Sequence, residues 1–312
     1  MNTRVSVVIP THNRLSTLSA LLRSLAAQSG NEEMTTQADV IIVDDGSHRA
    51  VSDKVRSLVH GHPLRRIRLH RLESNRGPSA ARNTGLALAT GDIIAFLDDD
   101  CIVREDFLRE TRRIHDENPG VLVLNGMSVT SRTDPIASLW AHYYDAVFTR
   151  AGETPYRVCG LSSGNFSIKR SLLALIYPLF DESLPSREDF DLYLRLKEKG
   201  IDVYKSDDIV VQHDPRSSIL SLVRQRIWYT KGEYLLRKKY GEAKVVAEER
   251  AQWGKVRWRC WYLSVILGLC WRAGMRFWRL RETVGRARHR CAAIFAGRNP
   301  ADSRQGGGSR VE

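Results

Sequence analysis

Long apolar runs are scarce in this chain of 312 residues. The longest, Cys260 to Trp271, covers 12 residues, short of the ~20 that a bilayer-spanning helix needs, and no set of channel-forming spans is present. Cysteine is also scarce: five residues, an odd number, with no Cys-x-x-Cys pair. That argues against a disulfide framework or a zinc ribbon and suits reduced thiols in a cytosol. The opening residues MNTRVSVVIP lack the apolar core of a secretory leader, so the expectation is a protein that stays where it is made. Internal repeats are missing, and no glycine-rich phosphate loop follows the first apolar run. Acids become rare near the C-terminus, where residues 251–312 hold 13 Lys and Arg against three acids, +10 of the total +12. A nearly neutral body thus precedes a basic extension. With 42% apolar residues the body can bury a sizeable core, which argues against disorder throughout.

What is present is an alternation of β-branched runs and amphipathic windows. Val5–Ile9, Val40–Val43 and Ile93–Leu97 are unbroken apolar runs, the pattern of strands buried on both faces. Between them Leu18, Leu21, Leu22 and Leu25, then Val51, Val55, Leu58 and Val59, recur at helical spacing. Ile67–Leu72 alternates and reads as a more exposed strand, and 78–89 as a helix with Pro78 near its start. Such alternation predicts an α/β fold with a mostly parallel central sheet flanked by helices. Further helices are expected from about Asp106, over 135–150, over about 189–199 and over 217–240. Short strands are expected at 121–124, 165–168, 203–204 and 209–212.

In an open α/β sheet, ligands sit beyond the carboxyl ends of the strands. The first strand runs into Pro10-Thr11-His12-Asn13-Arg14, the second into Asp44-Asp45-Gly46-Ser47, and the fourth into Asp98-Asp99-Asp100. Asp-Gly is an ordinary turn signal and Asp an ordinary helix cap, so one acidic turn would mean little. Two acidic clusters, each closing a buried run, call for a cation. In extended chain Asp98 and Asp100 point one way and Asp99 the other. Two hard oxygen donors suit Mg2+ or Mn2+ carrying a diphosphate.

The stretches VSVVIPTHNR, VDDGS, NRGPSAARNTGLALATGDIIAFLDDD, SGNFSIKR and REDFDLYLRL, in this order over roughly the first 240 residues, resemble glycosyltransferase family 2. The resemblance implies the GT-A fold, a Rossmann-like sheet binding a nucleotide-sugar with a divalent metal. It implies that Asp45 contacts the nucleotide base with Asp44 supporting the turn, that Asp98 and Asp99 lie near ribose and metal, and that Asp100 is the principal metal ligand. Pro10, Thr11 and Asn13 would line the nucleotide pocket, with Arg76 and Arg82 close by. It also places Asp189 as general base, beside Glu188, and makes Gly160–Arg170 the loop and strand that close over donor sugar and acceptor.

The chemistry of these residues leaves some roles open. Asp45 can accept N–H groups of a base or simply form a turn. Arg82 can pair with Asp44, with phosphate or with the acidic rim at large. Asp189 can serve as base or merely complement a helix dipole. Gly164 allows close backbone approach and Asn165 can hydrogen-bond a sugar, or both can belong to a plain turn. His213 can complete a metal shell or be structural.

Processive members of the family carry Gln-x-x-Arg-Trp, whereas this chain reads Arg224-Gln225-Arg226-Ile227-Trp228, which favours transfer of a single sugar. The basic segment holds five of the seven tryptophans, with Lys255, Arg257 and Arg259 before its apolar stretch and Arg272, Arg276 and Arg279 after. That pattern suits an interfacial segment on an anionic membrane, though a helix packed on protein would share it. Nucleic acid is disfavoured because the acidic rim would repel it.

The expectation is therefore a transferase domain over 1–215, a basic helical extension over 216–290 and a disordered tail over 291–312. Its activity would be inverting, metal-assisted transfer of one sugar from a nucleotide donor to a lipid-linked, cell-wall or surface-polysaccharide acceptor. It would work in the cytoplasm, peripherally on the inner face of the cell membrane, through residues 253–290. The alternatives are a sugar nucleotidylyltransferase, or a non-catalytic module binding membrane or nucleic acid.

Overall fold

Strands that are apolar without alternation bury both faces. β1 (Val5–Thr11), β2 (Asp39–Asp44) and β4 (Ile93–Leu97) are buried at every position. Alternate residues serve two cores: Val8, Ile41, Val43, Ile94 and Phe96 enter one, and Val7, Ile9, Val40, Ile42, Ala95 and Leu97 the other. Helix α1 (Leu15–Ala26) sets Leu18, Leu21, Leu22 and Leu25 into the second core. α2 (Arg49–His60) follows β2, and β3 (Ile67–Arg71) is the exposed strand its alternation predicts. α3 (Pro78–Leu88) covers the first core with Ala81 and Leu86.

The computed structural model describes residues 3–28, 38–60, 66–134, 137, 153–214, 218–253 and 275–278. The helix expected over 135–150, apart from Ala137, lies outside them. So does the tail over 291–312, and all of the basic segment over 253–290 except residues 253 and 275–278. No helix among the described residues is long and apolar enough to cross a membrane.

Beyond β4 come β5 (Cys101–Val103), α4 (Phe107–Glu117), β6 (Val123–Val129), β7 (Tyr156–Val158), β8 (Asn165–Lys169), α5 (Glu188–Glu198), β9 (Val203–His213), α6 (Ile219–Tyr240) and α7 (Glu242–Trp253). The sheet order is β3-β2-β1-β4-β8-β6-β9-β5, with β7 also on β9. From β3 through β4 all pairs are parallel, as is β6–β9. Antiparallel pairs enter at β4–β8, β6–β8, β5–β9 and β7–β9. This is the α/β architecture expected.

Two local features differ from the sequence reading. The strands expected at 203–204 and 209–212 form one strand, β9, because the polar stretch between them sits at a register shift against β6 between Asn125 and Met127. Three-residue strands β5 and β7 are too short to leave a periodic signal. The parallel register sets Thr11 opposite Asp44 and Val8 opposite Phe96, so β1, β2 and β4 all end on one edge.

Candidate active site

Thr11, the last residue of β1, ties the two acidic clusters together. Its carbonyl accepts the Asp45 amide at 2.8 Å, and its hydroxyl donates to Asp99 Oδ2 at 2.7 Å. Carboxylates separated by more than fifty residues therefore share one rim.

The chain does not stay extended through Asp98–Asp100. The Cys101 amide donates back to the Asp98 carbonyl at 3.1 Å, closing a tight turn. The expected split, with Asp98 and Asp100 to one side and Asp99 away, is thereby replaced. Asp98 Oδ1 meets Arg82 Nη2 at 2.6 Å, while Arg14 Nη1 lies 3.1 Å from Asp99 Oδ1 and 2.7 Å from Asp100 Oδ2. Opposite Cys101 in the β5–β9 register stands His213, its Nε2 3.4 Å from Asp100 Oδ1.

Burial raises the Asp99 carboxyl to about 6, against the pull of Arg14 and Thr11 and with help from Asp100 and Asp98. Burial acts the same way on Asp100, but His213 and Arg14 outweigh it and bring Asp100 to about 2. His213 loses basicity to burial and regains more from Asp100, for a net rise.

On the neighbouring turn, Asp44 is fully buried, accepts the Ser47 amide at 3.0 Å and has Arg71 Nε at 3.5 Å. Asp45 accepts the amides of Arg76 at 2.7 Å and Gly77 at 2.9 Å, just before α3. Both of its oxygens thus hold the loop, leaving only their remaining lone pairs for a base. Gly46, at φ 65, lets this turn approach Ser74, where a Cβ would come within 2.4 Å of the backbone. Pro10 pairs with Val43 in the sheet. Asn13 takes a positive φ of 57, with its amide on Ser47 Oγ at 2.8 Å and its Oδ1 accepting the His48 amide at 2.9 Å. Arg76 reaches Glu182 at 2.7 Å.

Arg82 does not pair with Asp44. Only 3% exposed, it bridges Asp98 and Glu188, whose Oε1 lies 2.8 Å away, with its guanidinium 5.5 Å from the Phe180 ring. The reason is topological: its helix packs on β1 and β2, but its site end faces the β4 terminus and the start of α5. Ser163 Oγ adds a hydrogen bond to Glu188 at 3.1 Å.

Next to Glu188, Asp189 is half-buried and accepts the Phe190 amide at 2.8 Å. Burial, then the Glu188 charge, raises its carboxyl to about 6. An ordinary aspartate is a poor base for an alcohol; this one is better matched to neutral pH.

The 160–165 loop abuts the rim through Gly164, where a Cβ would lie 2.8 Å from Asp98 Oδ2. Asn165, in contrast, is 1% exposed and donates to the carbonyls of Met127 at 3.2 Å and Ile209 at 3.5 Å. Its amide pins three strands together, and burial removes it from direct contact with a sugar in this conformation.

Four residues at the site went unremarked in the sequence. Arg14 sits in the Pro-Thr-His-Asn-Arg stretch, and Ser163 in the loop already singled out. Arg187 precedes Glu188 at φ 67, its Nε 3.0 Å from Glu233 Oε2 and its Nη2 2.9 Å from Glu249 Oε1. Tyr229 of α6 is raised to about 12, by burial first and then by the charges of Asp189, Glu188 and Asp98. Tyr229 left only a place in the basic helix as a signal.

Among the described residues no group of three or more His, Cys, Asp or Glu side chains forms a ready-made metal cage. The donor set nonetheless suits a divalent cation in kind: Asp98 and Asp100 offer hard oxygens and His213 an imidazole.

The model of glycosyl transferase family 2 matches residues 6–176, and that of glycosyl transferase family group 2 matches residues 93–295. A pre-mycofactocin glycosyltransferase of Mycobacterium tuberculosis is 32% identical over 229 residues, 72% of this chain and 46% of that protein. The chain thus spans about half the length of that curated relative. Among solved structures, a mannosyltransferase from Pyrobaculum calidifontis in complex with GDP-Man and Mn2+ superposes with TM-score 0.60 at 19% identity, covering 97% of this chain and 78% of that one. Staphylococcus aureus TarS 1–349 in complex with UDP-GlcNAc gives TM-score 0.53 at 22% identity, covering 73% and 66%. At these identities the likeness is one of fold, and the fold is GT-A.

Proposed function

The chain belongs to glycosyltransferase family 2, and on that footing we propose that it moves one sugar from a nucleoside-diphosphate sugar to a hydroxyl of a lipid-linked, cell-wall or surface-polysaccharide acceptor. The observation that carries this reading is Thr11 joining Asp45 and Asp99 on one rim, with the Arg82 bridge linking that rim to Glu188 beside Asp189. Support for the donor class comes from the GDP-Man and UDP-GlcNAc complexes of proteins with this fold. Support for the acceptor class comes from TarS, named a poly(ribitol-phosphate) beta-N-acetylglucosaminyltransferase.

In this reading Pro10, Thr11, Asn13, Asp44, Asp45 and Arg76 form the nucleotide side of the pocket, and Asp98 and Asp99 face the ribose and diphosphate. Asp189 takes the proton from the acceptor hydroxyl as its oxygen bonds to the anomeric carbon. The bond from that carbon to the diphosphate breaks in the same displacement, and the configuration inverts. Glu188 keeps Asp189 basic by its charge, and Arg82 keeps Glu188 and Asp98 in place. Gly164 leaves Asp98 Oδ2 accessible from the donor side. Asp98, Asp100 and His213 would hold Mn2+ or Mg2+, which when bound neutralises charge growing on the departing diphosphate. The basic segment over 253–290, on its composition, would keep the enzyme on an anionic membrane face from the cytoplasmic side.

A thermal-shift panel of nucleoside diphosphates and nucleotide-sugars, with and without Mn2+, tests the donor half, because a ligand that binds only the folded state raises its melting temperature. A metal-dependent rise with one nucleotide class is expected. No rise with any of them refutes the reading.

A further inference from the structure

Among the cations within the acidic rim, Arg82 and Arg14 differ in a way that assigns them different tasks. Arg82 is 3% exposed, gripped by Asp98 and Glu188 and held against the Phe180 ring. It can leave only by breaking a buried ion pair to Glu188 and a half-buried one to Asp98. Arg14 is 39% exposed, and its Nη1 alone spans Asp99 and the solvent-facing Asp100.

The backbone beneath Arg14 is fixed. His12 Nδ1 lies 2.8 Å from the Asp45 carbonyl, Asn13 is pinned to Ser47 and His48 in a positive-φ conformation, and Thr17 Oγ1 donates to the Arg14 carbonyl at 3.2 Å. The long side chain is therefore the part that can swing, and solvent is open to it. Asp100 Oδ2 is the oxygen it covers, at 2.7 Å. On the far side of the rim, glycine at 164 leaves space beside Asp98 Oδ2.

We propose that Arg14 is a placeholder cation: it neutralises Asp99 and Asp100 in the free enzyme, and must release Asp100 before a divalent ion can use that carboxylate. The inference rests on the metal-assisted reading given above. Once released, the guanidinium remains within its own side chain's length of the rim, placed to pair with the diphosphate that arrives with the ion. Arg14 is thus a positioning residue for metal and donor together. Metal loading without a nucleotide carries the cost of an abandoned ion pair, and loading with one recovers a partner for the arginine.

Direct titration of Mn2+ into the full chain, followed by the loss of the free-ion EPR signal, tests this with Arg14→Gln beside the unaltered protein, each with and without UDP. Without UDP, Arg14→Gln is expected to bind Mn2+ about two- to fivefold more tightly, since a partly exposed competing ion pair of this kind is worth about that factor. Adding UDP should tighten Mn2+ binding more in the unaltered protein than in the variant. Equal or weaker Mn2+ binding by the folded variant, while the unaltered protein binds the ion, overturns the placeholder role and leaves the metal reading standing. Failure of both proteins to bind Mn2+, with or without UDP, overturns both. A crystal structure of the unaltered protein with Mn2+ and UDP gives a check that needs no variant. Arg14 should then lie beyond hydrogen-bond distance of Asp100 Oδ2, and an intact contact beside a bound ion refutes the proposal.

Discussion

Replacing Asp189 by asparagine should cut transfer sharply and, at neutral pH, make the protein more stable. In the folded chain the Asp189 carboxyl is raised to about 6 from 3.8, chiefly by burial and secondly by Glu188. Between those two values the native state keeps a proton that the unfolded chain releases, so this group's contribution to stability falls as pH rises through the window. Below about pH 4 both states are protonated and the contribution vanishes; above about pH 6 the destabilisation is complete. A rise of about 2 units at 1.36 kcal/mol each corresponds to about 3 kcal/mol. Water at the half-buried carboxylate reduces that to roughly 1–2 kcal/mol.

Asparagine is nearly isosteric, carries no charge to desolvate, and keeps an oxygen for the Phe190 amide. Urea denaturation of both proteins from pH 4 to pH 8 isolates the effect, because carboxylates not coupled to Asp189 cancel in the difference. The stability gain of Asp189→Asn should be near zero at pH 4 and reach its plateau above pH 6. Sugar transfer should meanwhile fall by about 10²-fold or more, with donor binding kept. A variant less stable than the parent at pH 7.5, or a stability difference that does not change with pH, refutes the burial argument. Retained transfer refutes the assignment of the base.

Other consequences can be measured separately. The logarithm of kcat/KM should climb with pH through about 6 and then level, and Glu188→Gln should move that limb to lower pH by removing a charge that raises Asp189; a limb that stays put points to another base. Arg82→Met leaves Asp98 and Glu188 facing each other without their cation, and chemical denaturation should show a loss of about 3–5 kcal/mol. Gly164→Ala brings a methyl within 2.8 Å of Asp98 Oδ2, and should lower kcat/KM about 10²-fold with little change in melting temperature. A chain ending after Trp253 should keep donor binding and lose affinity for anionic vesicles, whereas one ending after Gly241 should also lose several degrees of melting temperature because Glu249 is gone.

The sheet was readable in the sequence because burial on both faces writes itself as unbroken apolar runs, and the rim because those runs end in acids. The direction of each carboxylate was not. Period-two alternation applies to extended chain, and the i to i+3 hydrogen bond from Cys101 to Asp98 ends it just where the acids begin. Pairing was hidden for a similar reason. Arg14 meets Asp100 across 86 residues, and Arg82 meets Glu188 across 106, so each partner is chosen by strand order and not by spacing. For Asn165 the sequence left a sugar ligand and a plain turn both open, because an amide after Ser-Gly suits either. Its place in β8, between β4 and β6, makes it a cross-strand pin.

The division into a sheet domain over 1–215 and a helical extension beyond it follows charge and composition, and the first part of that extension packs on the sheet. Leu236 and Val245 are fully buried in the same core as Phe96 and Leu192. Arg187, next to Glu188 and Asp189, is held by Glu233 of α6 and Glu249 of α7, and Arg237 closes the network with 2.7 Å contacts to both acids. Arg187 also covers the Phe190 ring at 4.6 Å. Burial and then Glu233 raise Glu249 to about 7, so the network is a strained balance of like and unlike charges and not a simple clasp. Arg187 is among the groups that hold the Asp189 carboxyl down, after burial and Glu188 raise it, so α6 and α7, which hold Arg187, bear on the basicity of the proposed base. The catalytic unit proposed above thus takes in α6 and α7, and the membrane role proposed for the basic segment falls to residues beyond Trp253.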